Sequence, residues 1–186
     1  MTEPEFWAHV AAAHPRRYDA DAHADQLAAR LAKLPEPEIL DFVHHWDAAS
    51  ARAYRRDLWG AAYLVNGGCS DDGFQYFRWW LILQGREAFD AALADPDTLA
   101  EVLDGETDVE AEVGPGADAW FLATGTGRDD AGYSAYDRAL TFRHPRRPPL
   151  PPLAPHWDFD DAAEVRRRLP RLAATYLDGD GEDSGE

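Results

Sequence analysis

Lysine is almost missing from this chain: Lys33 is the only one, and the other 17 bases are arginine. Together with the many alanines this is the mark of a high-GC coding bias, so an arginine at a given position carries little functional information. Cysteine is as scarce. With Cys69 alone, neither an intramolecular disulfide framework nor a multi-cysteine zinc motif can form. Long apolar runs are also missing. The longest, Trp79 to Leu83, falls far short of the roughly 20 residues a membrane span needs. Met1 to Glu5 carries acids where a signal peptide carries bases, and His9 and His14 interrupt the apolar run from Phe6. Bases are outnumbered by acids, 18 against 35, for a formal net charge of −17. A field of that sign repels nucleic-acid phosphates, whose binding rests on Lys and Arg. These absences predict a soluble, cytoplasmic protein with no nucleic-acid and no membrane partner, its acidity serving solubility.

What is present suits an all-α fold: one compact multi-helix domain over residues 1–177, with a proline-rich connector at 145–156, a C-terminal helix, and an acidic disordered tail at 178–186. With 45% hydrophobic residues and seven tryptophans there is ample material for a core. Thr2 and Glu5 make a capping box for a helix to about residue 13. Apolar residues at helical spacing mark 21–34, and Pro37 opens a further helix that carries Ile39, Val43 and Trp46 on one side. A helix at 58–65 holds Gly60, Ala61 and Ala62, small enough for close packing, and halts at Asn66-Gly67-Gly68. Ser70 is a good N-cap for the next helix, 74–84, whose Trp79–Leu83 run is apolar all round. Helices at 86–94 and 97–103 follow.

Beyond residue 103 the periodicity weakens. Segments 119–122 and 133–142 read as helical or partly extended, with Gly125 and Gly127 in a loop between them. Six of the eleven residues from Pro145 to Pro155 are proline, an extended connector anchored by Leu150, Leu153 and Trp157. The last helix starts near Trp157 and is kinked or restarted at Pro170. Residues 87–127 hold eleven acids and no base, whereas residues 138–157 hold Arg138, Arg143, Arg146 and Arg147 and no acid. Complementarity predicts that the arginines lie along the acidic surface of 87–118. Trp46, Phe77, Trp80 and Leu81, on the apolar faces of the two strongest helices, are expected in one core.

The most polar and specific stretch between apolar helices is Asn66 to Gly73. A glycine turn entering a helix N-terminus can hold an anion, but Asp71 and Asp72 already occupy that positive end. A ligand there must be a cation, and without one the segment is a conventionally capped joint. Consecutive residues point about 100° apart, so one of the two aspartates is expected to cap the helix and the other to face outward. With Trp59, Tyr63 and Arg78 nearby, these residues and Asn66 form the candidate ligand or partner surface. Cys69 is a poor nucleophile, because two neighbouring carboxylates raise its pKa. His44 and His45 diverge on their helix and do not chelate one ion together. The series Asp19, Asp21, His23, Asp25 opens like a calcium loop, but it lacks the glycine and puts Arg30 where the bidentate glutamate belongs.

From Trp59 through Glu87, and on through AFDAALADPDTLA, the chain resembles the domain-of-unknown-function family numbered 4240. Phe6-Trp7 is similar to that family's opening and Trp157 to Tyr176 to its closing helix. The resemblance implies a mainly helical, bacterial protein and carries over no catalytic or ligand residue. Glu36 departs from it, standing where similar sequences place a better N-cap such as serine. The expected function is a binding or regulatory module that meets a protein or small molecule near loop 66–73. The alternative is an enzyme that uses Asp71 or Asp72 as acid/base or metal ligand. No catalytic residue, metal ligand or cofactor is assigned.

Overall fold

The computed structural model describes residues 1–15, 19–103, 109–153 and 155–177; the tail expected at 178–186 lies outside them. About 70% of the described residues are helical, and no strand occurs among them. In chain order the helices are α1 (Glu3–Ala12), α2 (Ala20–Leu31), α3 (Glu36–Arg52), α4 (Arg56–Val65), α5 (Asp71–Leu83) and α6 (Arg86–Ala94). A 3-10 turn (Pro96–Leu99) leads into α7 (Ala100–Leu103), and then come α8 (Pro115–Thr124), α9 (Asp130–Arg143), α10 (Ala162–Arg168) and α11 (Pro170–Tyr176). No described helix is long and apolar enough to cross a membrane.

The chain divides into two compact units. The first comprises residues 1–51 and 111–149. Here α2 lies against α1 and α8, and α8 against α9. Phe6, Leu27, Leu31, Ile39 and Phe42 are fully buried, and Phe6 meets Phe42 at 4.9 Å between ring centroids. The local signals worked where their partners are close in sequence. The Thr2 amide and hydroxyl both donate to the Glu5 carboxylate, at 2.7 and 2.8 Å, and start α1. Asp19 accepts from the Ala22 amide and caps α2. Residues 115–124 and 130–143 resolve as full helices, the weak periodicity of α9 matching its largely exposed surface. Glu36 takes the indole N–H of Trp120 at 2.9 Å, which gives the poor N-cap residue a tertiary partner.

The second unit comprises residues 52–110 and 150–186. In it α4 packs on α5 and α11, α5 on α6, and α10 on α11. Phe74, Phe77, Leu81, Ile82 and Leu83 form its centre, which agrees with the all-apolar reading of α5. Trp46, Phe77, Trp80 and Leu81 are all buried, but Trp46 belongs to the first unit and the other three to the second. The chain restarts at Pro170, and α11 lacks a capping side chain of its own. Asp97 supplies it: both carboxylate oxygens accept from the Arg171 amide at 3.0 Å, and Oδ1 also accepts from Leu172 at 3.0 Å. Of the connector anchors, Trp157 is buried, Leu153 half-buried and Leu150 exposed. Leu150 is therefore no anchor.

Two of the four arginines expected along 87–118 pair inside the first unit instead. Arg143 pairs with Asp41 and Arg147 with Asp137, while Asp118 takes Arg128. Arg143 and Arg147 find carboxylates outside 87–118 because side chains on α9 and just after it reach α3 and α9 first.

Candidate functional site

All six candidate residues fall within the second unit, on α4, on α5 and on the turn between them. Asn66 ends α4, and Gly67 and Gly68 turn the chain at φ +65° and +136°, a backbone that side chains beyond glycine rarely adopt. The Gly68 amide closes back on the Tyr63 carbonyl at 2.8 Å. Ser70 then caps α5, its hydroxyl accepting from the Gly73 amide at 3.1 Å. The cap expected from one aspartate is therefore made by Ser70 alone. Asp71 and Asp72 are both exposed, and neither carboxylate makes a hydrogen bond or ion pair with another described residue.

The loop is framed from both sides. The Trp59 indole N–H donates to the Cys69 carbonyl at 3.0 Å, and the indole stacks on Phe74 at 4.8 Å with planes 11° apart. On the other side Asn66 Nδ2 donates to Glu110 Oε1 at 3.2 Å. The acceptor-only carboxylate fixes which end of the amide faces it, and Asn66 Oδ1 is left buried without a partner. Glu110 also lies over the start of α5, where a Cβ on Gly73 would come 2.5 Å from its Oε1. Burial, then Glu110 and Asp71, push the Cys69 thiol up to about 12, outweighing the lowering contact from Trp59. That is the opposite of an activated nucleophile.

The other candidates turn elsewhere. Tyr63 donates its hydroxyl to Asp160 Oδ1 at 2.8 Å, and its ring meets Phe159 at 5.4 Å. The Asp160 carboxylate raises the Tyr63 phenol above its ordinary value. Arg78 is buried: Nε donates to the Phe74 carbonyl at 3.2 Å and Nη2 to Gln75 Oε1 at 2.7 Å, with the guanidinium over the rings of Tyr54 and Phe74. It braces α5 from inside and does not line the Asp71–Asp72 surface. The turn thus brings Trp59, Asn66, Asp71 and Asp72 to one place, while Tyr63 and Arg78 serve neighbouring contacts.

Glu110, Arg56, Trp157, Phe159 and Asp160 complete the surroundings and were not among the candidates. Trp157 stood out in the sequence only as a connector anchor. Glu110 lies in an acidic stretch with no motif, so no local signal marks it.

A second polar cluster lies in the first unit around Asp41, whose side chain is only 8% exposed. It accepts from the Met1 ammonium at 2.6 Å, from Arg143 at 2.8 and 3.0 Å, and from His144 Nε2 at 2.9 Å. Burial by itself would raise this carboxyl, but the three donors overcome it and hold it well below the usual carboxylate range. His44 stacks on His144 at 4.2 Å, and His45 meets the Met1 carbonyl at 3.0 Å, so the two neighbours do diverge. Among the described residues no group of three or more His, Cys, Asp or Glu is arranged to hold a metal ion.

No curated protein and no solved structure matches the chain. The model of the family described as "Protein of unknown function (DUF4240)" matches residues 1–121. Those residues include α4, loop 66–73, α5 and Glu110, and leave α10 and α11 outside. With well over half of its length matched, the chain belongs to the DUF4240 family of proteins of unknown function.

Proposed function

We propose that this chain is a cytoplasmic binding or regulatory module that meets a protein or small-molecule partner at loop 66–73, and that the partner presents a cation there. The observation that carries this reading is the freedom of Asp71 and Asp72. Ser70 does the capping, so both carboxylates face solvent at the end of a loop held in shape by Trp59 and Asn66. With the loop backbone already held in shape, binding orders only the two exposed side chains, which keeps its entropic cost low. The net charge of −17 adds long-range attraction for a basic partner and speaks against nucleic acid and anionic membranes. The enzyme reading has less support: both carboxylates are exposed rather than gathered in a cleft, and the nearby thiol is held protonated.

The test is titration with a hexa-arginine peptide at physiological salt. Asp71→Asn combined with Asp72→Asn should weaken binding at least tenfold and leave thermal stability nearly unchanged. Asp21→Asn with Asp25→Asn removes the same charge from the exposed side of α2 and should have little effect. Equal loss in both pairs would reduce the interaction to net charge and overturn the proposal.

A further inference from the structure

Residues 56, 59, 60 and 63 recur at helical spacing, so Arg56, Trp59, Gly60 and Tyr63 share one face of α4. We infer that this face is a docking surface for a peptide of alternating aromatic and acidic residues, and that the chain's own Trp157-Asp158-Phe159-Asp160 sits on it as a resident ligand.

Each contact is specific to that chemistry. Gly60 leaves a notch that the Trp157 indole fills, since a Cβ there would overlap ring atoms Cζ2 and Cη2. Arg56 lays its guanidinium 3.8 Å from the Phe159 ring centroid and donates from Nη2 to the Trp157 carbonyl at 2.8 Å. Tyr63 donates to Asp160, and Phe159 packs between Trp59, Tyr63 and Trp157 at centroid distances of 6.4, 5.4 and 4.8 Å. Arg168 stands over the indole at 5.1 Å, adding a second cation to the surface. An aromatic anchor in a small-residue notch, flanked by arginine and a tyrosine hydroxyl, is the anatomy of a peptide-binding hot spot.

The resident segment satisfies this surface incompletely. Trp157 is 95% buried, yet its indole N–H has no acceptor, and Arg56 Nε is a second buried donor without one. Buried donors are ordinarily paired. The indole N–H is a cost the resident carries on its own side chain, whereas Arg56 Nε belongs to the surface, so a ligand that brings a carboxylate or carbonyl to Arg56 Nε would bind better than the resident does. Residues 147–153 and 155–158 lie in no helix, so releasing the segment breaks few backbone hydrogen bonds. This docking face shares Trp59 with the frame of loop 66–73, but it uses neither Asp71 nor Asp72 and does not depend on the reading given to those carboxylates.

The experiment uses the full chain and a fluorescein-labelled peptide of residues 155–162, followed by anisotropy at 150 mM salt or above, where the net negative charge is screened. Phe159→Ala and Asp160→Asn, which loosen the resident without removing the buried indole, should bind the peptide at least tenfold more tightly than the native chain. Adding Gly60→Val should abolish that gain, and a scrambled peptide should not bind. Asp71→Asn with Asp72→Asn should leave the peptide's affinity unchanged. No gain in either loosened variant, while circular dichroism shows it folded, would overturn the proposal. So would equal binding of the scrambled peptide. Dimerisation of the loosened variants with no peptide uptake would assign the face to a second copy and likewise overturn it.

Discussion

Arg143 closes on Asp41 with two parallel hydrogen bonds, Nε to Oδ1 at 2.8 Å and Nη2 to Oδ2 at 3.0 Å, from 102 residues away in the chain. The pair ties the end of α9 to α3 inside the first unit. Asp41→Asn keeps the shape and removes the charge on which three donors converge. A loss of about 1–3 kcal/mol is expected, less than for a fully buried pair because Arg143 is half exposed. Arg143→Ala should lose less than Asp41→Asn, since the Met1 ammonium and His144 remain. Because the folded carboxyl lies below its ordinary value of 3.8, its contribution is present above that pH and is lost as pH falls below it. Urea unfolding across pH 5 to 2 should therefore show a shallower acid limb in Asp41→Asn.

Acid sensitivity should begin earlier, at a histidine. His23 is fully buried with Nε2 2.9 Å from the Val10 carbonyl, and burial lowers its pKa below the ordinary 6.5. His9 is lowered too, first by burial and then by Arg30. The unfolded chain takes up these protons before the folded one, so stability is present above about 6.5 and falls as the pH drops through it. Melting temperature should decline between pH 7.5 and 5.5, and His23→Gln should make that decline smaller. An equal decline in both proteins would locate the effect elsewhere.

Cys69 should be nearly inert. With the thiol pushed up to about 12, alkylation by iodoacetamide at pH 8 should run at least tenfold slower than for a free thiol. Glu110→Gln removes one of the raising charges and should speed the reaction. Rapid labelling of the native protein would contradict the buried, acid-flanked environment.

Capping of α5 should rest on Ser70. Ser70→Ala is expected to destabilise by about 1 kcal/mol. Asp71→Asn and Asp72→Asn, both exposed and uninvolved in the cap, should each stay within about 0.5 kcal/mol of the parent. A larger loss in one aspartate variant than in Ser70→Ala would restore a capping role to that carboxylate.

Trp80 stacks on Phe77 at 5.7 Å and is buried on α5. Trp80→Ala should cost about 3–5 kcal/mol. A change under about 1 kcal/mol in a two-state denaturation would show the indole to be peripheral.

Much of the helical layout was legible in the residues. Periodicity and capping place α3, α4, α5 and α6 to within a few residues, because an N-cap, a glycine turn or an apolar stripe involves partners three or four positions apart. The start of α5 at Ser70 and the turn at Gly67-Gly68 belong to this class. So does the divergence of His44 and His45. The assignment of the candidate surface was legible only in part. That Asp71 and Asp72 sit at a helix start follows from spacing; that neither caps it depends on Ser70 having reached the Gly73 amide first.

Tertiary structure alone decided which distant side chain met which. Asp97 caps α11 from 74 residues away, Glu110 frames Asn66 from 44, and Arg56 holds Trp157 from 101. The charge blocks illustrate the reason. Opposite signs along a chain state that complementarity is available, but screened surface charges are too weak to select partners at a distance. Packing brings particular surfaces together first, and Arg143 then takes Asp41 because that carboxylate is the one within reach. By itself the sequence determined an acidic chain that folds as helices, since composition and 3.6-residue periodicity are local properties. The polar contacts that define its two candidate surfaces were decided by the fold, because hydrogen bonds act over a few ångströms and only the packed chain brings their partners that close.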